Sequence, residues 1–147
     1  MRLEPLADLK LAYDEDGFLL VQPFGTEEGT GWGGGDGTIE GDRLRGHIRW
    51  LNVPHRRSDV VMLPHCHGRI QTDDDATILF FMEGRTPLSG PESGKQLLRL
   101  QFETDAAAYA WLNTAFTVAE GIITEDPPGS ERYVARARVY SLVHELE

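Results

Sequence analysis

Cysteine, basic residues and long apolar runs are all scarce in this chain. Cys66 is the only cysteine among 147 residues, so no disulfide forms within the chain. Lys and Arg number 14 against 24 Asp and Glu, a net charge of −10. A surface this acidic repels phosphate backbones and anionic bilayers, so no nucleic-acid or membrane partner is expected. No apolar run reaches the length of a membrane helix. The opening MRLEPLADLKLAYDEDG is broken by acids and a proline and has no apolar stretch of signal-peptide type, which points to a cytoplasmic protein. Nucleophile elbow, P-loop, dinucleotide fingerprint and HExxH zinc motif are also missing. An enzyme built on this chain is therefore expected to work without those cofactors.

What is present suits one domain spanning residues 1–147 with an appreciable core, since 40% of residues are apolar. The 16 glycines gather in turn-like clusters, which favours many short strands over long helices. Leu9, Leu11 and Tyr13 alternate with Asp8, Lys10 and Asp14 as in a half-buried strand. The turn Asp14–Gly17 follows, and Phe18–Phe24 is read as its hairpin partner. Gly25–Gly37, with its GTGWGGGDG run, is read as a wide loop rich in positive φ angles. Thr38–Leu51 reads as one long strand with a bulge at Gly41 or Gly46.

Short strands Asp59–Leu63 and His67–Thr72 are separated by Pro64, and Asp73–Asp75 is a hairpin turn. A calcium reading of those three acids fails for want of EF-hand spacing. Ala76–Gly84 is the most apolar strand, and Arg85–Gly94 a loop. Lys95–Glu103 alternates cleanly, Leu98, Leu100 and Phe102 opposite Arg99, Gln101 and Glu103. Asp105–Asn113 is the one helical segment, rich in alanine and capped by Thr104 or Asp105. Strands at Thr114–Ile123 and Arg132–Leu146 flank the turn Glu125–Ser130. About eight or nine strands and one short α-helix predict an all-β fold, a single antiparallel β-barrel of about eight strands that closes its own edges.

The order of motifs also resembles a known family. Its carriers are Gly34-Gly35-Asp36-Gly37-Thr38-Ile39-Glu40-Gly41, Arg43-Leu44-Arg45-Gly46, Thr72-Asp73-Asp74, Phe102-Glu103-Thr104, Tyr109-Ala110-Trp111-Leu112-Asn113 and Arg138-Val139-Tyr140. In this order they are similar to the uncharacterised family of domain of unknown function 3237 (DUF3237, also labelled UPF0311), over almost the whole chain. The resemblance implies an antiparallel barrel of about eight strands and no established chemistry. Where this chain has His65, relatives often carry Asp in a segment similar to LPDxHG, while Arg57, Asp59 and His67 are in place.

Two constellations could carry chemistry. His65 and His67 in Pro64-His65-Cys66-His67-Gly68 point the same way along a strand, which suits a metal. Cys66 then points to the opposite face and reads as a small buried apolar residue. A cupin-type site would want a Glu about four residues after the second His; Gln71 stands there instead. The other set is Arg57, Asp59, His67, Glu83 and Arg85. Asp59 and His67 are read as lying on adjacent strands, where the carboxylate would fix the imidazole tautomer and leave the other nitrogen as a base. Arg57 or Arg85 would clamp a substrate carboxylate. The same set also reads as a structural ion-pair network tying the barrel rim, because buried charges demand partners whatever they do.

Arg45, His47 and Arg49 are too many cations for an apolar core and are read as solvent-facing. Trp111 is expected to plug a barrel end, and Asn113 to cap the helix or reach the pocket. The leading expectation is a barrel binding a small apolar or aromatic ligand that carries a carboxylate or carbonyl. A sharper form is a cofactor-free acid–base enzyme (isomerase, lyase or cyclase) with His67 as base and Asp59 as its orienter. The alternatives are a metal-dependent cupin-like enzyme using His65 and His67, and a non-catalytic module that self-associates, as a homodimer.

Overall fold

Alternation is what builds this molecule. In Lys95–Glu103 every second side chain is buried, from Gln96 through Leu98 and Leu100 to Phe102, and those between are exposed. The computed structural model describes residues 1–147. Its strands are β1 (Arg2–Tyr13), β2 (Leu19–Val21), β3 (Gly29–Glu40), β4 (Arg45–Asn52), β5 (His55–Arg56) and β6 (Val61–Leu63), followed by β7 (His65–Thr72), β8 (Thr77–Pro87), β9 (Lys95–Glu103), β10 (Thr117–Glu125) and β11 (Tyr133–Val143). Eight of them close a ring in the order β1-β11-β10-β9-β8-β7-β4-β3 and back to β1. Every pairing is antiparallel. The expected eight-stranded antiparallel barrel is therefore the fold.

The short strands β2, β5 and β6 stand outside the ring. β5 pairs with the start of β3 and with β6, and β6 pairs with the end of β8. Together they form an arm at one end of the barrel. No helix is long and apolar enough to cross a membrane.

The inward face is apolar and packed. Ile39, Leu44, Ile48, Trp50, Ile70, Ile78, Phe80, Met82, Leu98, Leu100, Phe102 and Val139 are all buried in one cluster. Each such side chain contributes about 1.5–3 kcal/mol when taken from water. A ring of eight strands has an interior that side chains alone can fill. Its polar members are few: the Thr117 hydroxyl donates to the Leu100 carbonyl at 2.7 Å, and the Gln96 amide to the Thr86 hydroxyl at 3.1 Å.

Several local expectations are corrected. The glycine-rich stretch is not a wide loop: Gly29–Glu40 is strand β3, and none of its glycines has a positive φ. Its glycines serve close approach instead. A Cβ on Gly35 would lie 1.8 Å from the Ala12 carbonyl oxygen, and one on Gly34 would lie 2.5 Å from that of Trp50. Strand β1 does not form a hairpin with Phe18–Phe24; it pairs with β3 and β11, while Leu19–Val21 pairs with β3. Thr38–Leu51 is two strands, split by a turn that the Gly41 N–H closes on the Leu44 carbonyl at 2.8 Å.

The helix is 3₁₀, not α, and covers Ala107–Asn113 without a side-chain cap. Seven residues are too few to sustain an α-helix unaided. Asn113 holds the turn to the end of β9: its Oδ1 accepts from the Thr104 N–H at 2.8 Å, and its Nδ2 donates to the Thr104 carbonyl at 2.9 Å. Leu112 is the fully buried plug of the helix. Trp111 packs on the core half-buried, with the Arg43 guanidinium 3.7 Å above its ring.

Candidate functional site: a groove on the outer wall

Because the apolar alternates turn inward, the ionisable ones turn outward. Of the polar set, His67, Glu83 and Arg85 stand on the outer wall, while Arg57 and Asp59 lie in the arm between β5 and β6. Strand register places those side chains in rows. His65 lies opposite Glu83, Glu83 opposite Arg99, Arg99 opposite Val118, and Val118 opposite Tyr140. One step along, Arg85 lies opposite Leu97, and Leu97 opposite Glu120. Side chains directly opposite on one face stand about 4.5–5.5 Å apart at Cβ, so each row is a continuous strip.

These rows are the floor of the largest concavity, a groove of about 1060 Å³. Val53, Leu63 and Pro64 border it where the chain enters and leaves the β5–β6 arm, and Leu3 borders it from β1. Arg99 donates to Glu83 Oε1 through Nη2 at 2.8 Å and Nε at 3.2 Å. The Tyr140 hydroxyl donates to Glu120 Oε1 at 3.1 Å. Arg85 differs from its neighbours: it is exposed, forms no ion pair, and reaches only the Gly84 carbonyl at 3.5 Å. Leu97 beside it is 69% exposed. The groove thus combines an uncommitted guanidinium, an imidazole next to a carboxylate, and an apolar floor.

Of the residues expected from sequence, Glu83 and Arg85 line this groove and His65 joins them. His67, Asp59, Arg57, Trp111 and Asn113 do not. The Asp59–His67 dyad does not form. Asp59 stands in the turn before β6, where Arg57 donates to both its oxygens at 3.0 and 2.6 Å. That hydrogen bond holds the Asp59 carboxyl below the usual carboxylate range. The physical reason is topological: β6 pairs with β5 and β8, whereas β7 pairs with β4 and β8. The two segments follow each other around Pro64 rather than lying side by side. Asn113 and Trp111 anchor the 3₁₀ turn.

The cupin-like reading also loses its geometry. His65 and His67 have ring centroids 5.3 Å apart, but no third His, Cys, Asp or Glu completes a ligand set with them. Cys66 between them is 1% exposed on the inner face, and burial pushes its thiol up to about 12. Arg45, His47 and Arg49 face solvent as expected, Arg49 binding Asp14 through two hydrogen bonds at 3.0 and 2.7 Å.

Val118, Glu120, Tyr140 and Leu3 also line the groove, and no motif in the sequence marks them. Their alternation marks them as outward, but only register shows which outward residues are neighbours.

No family model and no curated protein matches the sequence. Among solved structures, the fold is similar to a β-barrel-like protein from Acinetobacter baumannii (TM-score 0.77, 21% identity, covering 97% of this chain and 96% of that one). It is also similar to a protein of unknown function from Clostridium acetobutylicum (TM-score 0.78, 16% identity, 97% and 100% covered). A conserved protein of unknown function from Rhodopseudomonas palustris is a third (TM-score 0.72, 17% identity, 97% and 99% covered). At these identities the likeness establishes the barrel along the full chain.

Proposed function

We propose that the outer-wall groove binds a small amphipathic molecule, its carboxylate or carbonyl held by Arg85 and its apolar or aromatic body laid on Leu97, Val118 and Leu63. The observation that carries this is the uncommitted Arg85 guanidinium at the edge of an exposed apolar floor. Other arginines of the wall, Arg49, Arg99, Arg136 and Arg138, already hold carboxylates. A guanidinium without a partner favours a bidentate anion, and the groove volume suits a ligand of drug-like size.

The same groove supports a cofactor-free acid–base reaction of isomerase, lyase or cyclase type. In that role His65, not His67, is the base, and the neighbouring Glu83 orients it. The order of motifs along the chain supports membership in the family of domain of unknown function 3237, with the barrel as the shared frame.

Octanoate and 4-phenylbutyrate, titrated by calorimetry, test the binding. Arg85→Ala should weaken both at least about tenfold, the cost of one charge-assisted pair. Equal affinity in the variant sinks the assignment. The corresponding neutral amides should bind more weakly to the native protein.

A further inference from the structure

A second concavity lies on a different part of the wall and shares no residue with the groove. It is a hollow of about 550 Å³, bordered by Trp32, Leu51, His67, Arg69 and Leu79. Trp32 is 56% exposed, although it is one of the largest apolar side chains in the molecule. Arg69 is exposed and makes neither an ion pair nor a side-chain hydrogen bond, while Arg49, directly across the strand from it, is bound to Asp14 and Asp36. Leu51, across the strand pair from His67, stands in the space between Trp32 and Arg69, and Leu79 lies beyond Arg69 on β8; both are exposed. Gly33, Gly34 and Gly68 form part of the floor, and the buried Trp50 and Phe80 rings pack beneath it.

We propose that this hollow is a second small-molecule site, selective for a planar aromatic carboxylate. An exposed indole with Leu51 on its cross-strand diagonal offers a flat apolar wall on which an aromatic ring stacks in an offset or edge-on arrangement. An unpaired guanidinium supplies the matching bidentate fork for a carboxylate. The two are spaced for one ligand. Counting strands and residues along the register, their Cα atoms lie roughly 16 Å apart. Side-chain reach from each end leaves room for one ring and its carboxylate. His67 stands between them and offers a further donor. The basic groups facing the hollow are Arg49, Arg69 and His67; the acids are Asp14 and Asp16, of which Asp14 is occupied by Arg49.

The site is independent of the groove, and its test keeps the two apart. The probe is 4-hydroxybenzoate, with cyclohexanecarboxylate and 4-hydroxybenzamide as controls for ring planarity and charge. Affinity is measured by calorimetry on the full chain, and the indole N–H of Trp32 is followed in a ¹⁵N-resolved NMR titration. Saturable binding should weaken at least about tenfold in both Trp32→Ala and Arg69→Gln. It should stay within about twofold in Arg85→Ala, and both controls should bind more weakly than the probe. Both altered side chains are exposed, and thermal melts matched to the native protein confirm that the variants fold. The proposal is overturned by no saturable binding up to about 10 mM, by full affinity in either Trp32→Ala or Arg69→Gln, or by loss in Arg85→Ala, which would assign the probe to the groove.

Discussion

His65 and His67 stand side by side on the outer wall with ring centroids 5.3 Å apart, yet they border different concavities. Both rings lean on Phe81, at 5.0 and 5.1 Å. Phe81 therefore acts as a ridge: His65 faces the groove that holds Arg85, and His67 faces the hollow that holds Trp32. Two imidazoles with a single residue between them thus border separate concavities.

That separation gives the first prediction. His65→Ala should weaken octanoate binding in the groove at least about tenfold, the worth of one hydrogen bond to a charged group. His67→Ala should leave it unchanged. Calorimetry on the two variants checks this, and the opposite ranking would return His67 to the groove.

The acid side of the stability profile follows from three carboxyls. Asp14 is held low by the hydrogen bond from Arg49, Asp59 by that from Arg57, and Asp74 first by the Thr72 hydroxyl and then by the Tyr109 hydroxyl. Each folded value lies below the unfolded one. Each therefore contributes stability that is fully present above the ordinary carboxylate range and is lost as pH falls through the lowered folded value. The melting temperature should hold level from neutrality to about pH 5 and then fall as pH drops through about 4 and below. Salt should shrink the shares of Asp14 and Asp59, which rest on exposed ion pairs, more than that of Asp74, which rests on neutral hydroxyls. Asp14→Asn should flatten part of the fall, measured as melting temperature against pH.

Cys66 should be inert in the native protein. Its thiol is buried on the inner face and pushed up to about 12 by desolvation, so almost no thiolate exists near neutrality. Ellman's reagent at pH 8 should label it only on unfolding. Rapid labelling of the folded chain would contradict the inward placement.

Gly35 should tolerate no side chain. A Cβ there would meet the Ala12 carbonyl oxygen at 1.8 Å, and that atom belongs to the backbone of the paired strand β1. Gly35→Ala should therefore destabilise by about 1–3 kcal/mol or more, the usual cost of forcing an added group into a packed interior. Urea unfolding measures it. Gly17→Ala meets nothing within 4 Å but strains a φ of 71°, so it should cost less, about 1 kcal/mol.

Period-two alternation was legible in residues such as Leu98, Leu100 and Phe102, because the pleat sends neighbours to opposite faces wherever the strand ends up. The Asp73–Asp75 turn was legible for a similar reason, being closed by groups within four residues of one another, with the Ala76 N–H donating to the Thr72 hydroxyl at 2.7 Å. The glycines of β3 are ambiguous in the sequence because composition cannot distinguish a residue that turns the chain from one that lets another strand come close.

The candidate site was less legible. Glu83 and Arg85 could be singled out by their chemistry, but Arg99, Val118 and Tyr140 become their neighbours only through the pairing of β8, β9, β10 and β11. Asp59 and His67 are eight positions apart in sequence, yet they belong to different pairings; Asp8 and Arg138 are far apart in the chain and meet at 3.2 Å.

From sequence alone, then, came the all-β class, the two faces of strands such as Lys95–Glu103 and the lone thiol, all consequences of local geometry. Which face closed inward, and which charged side chains became neighbours outside, was decided by the tertiary structure. Ring closure buries whichever alternates are apolar and leaves the ionisable ones in water, where desolvation costs them nothing.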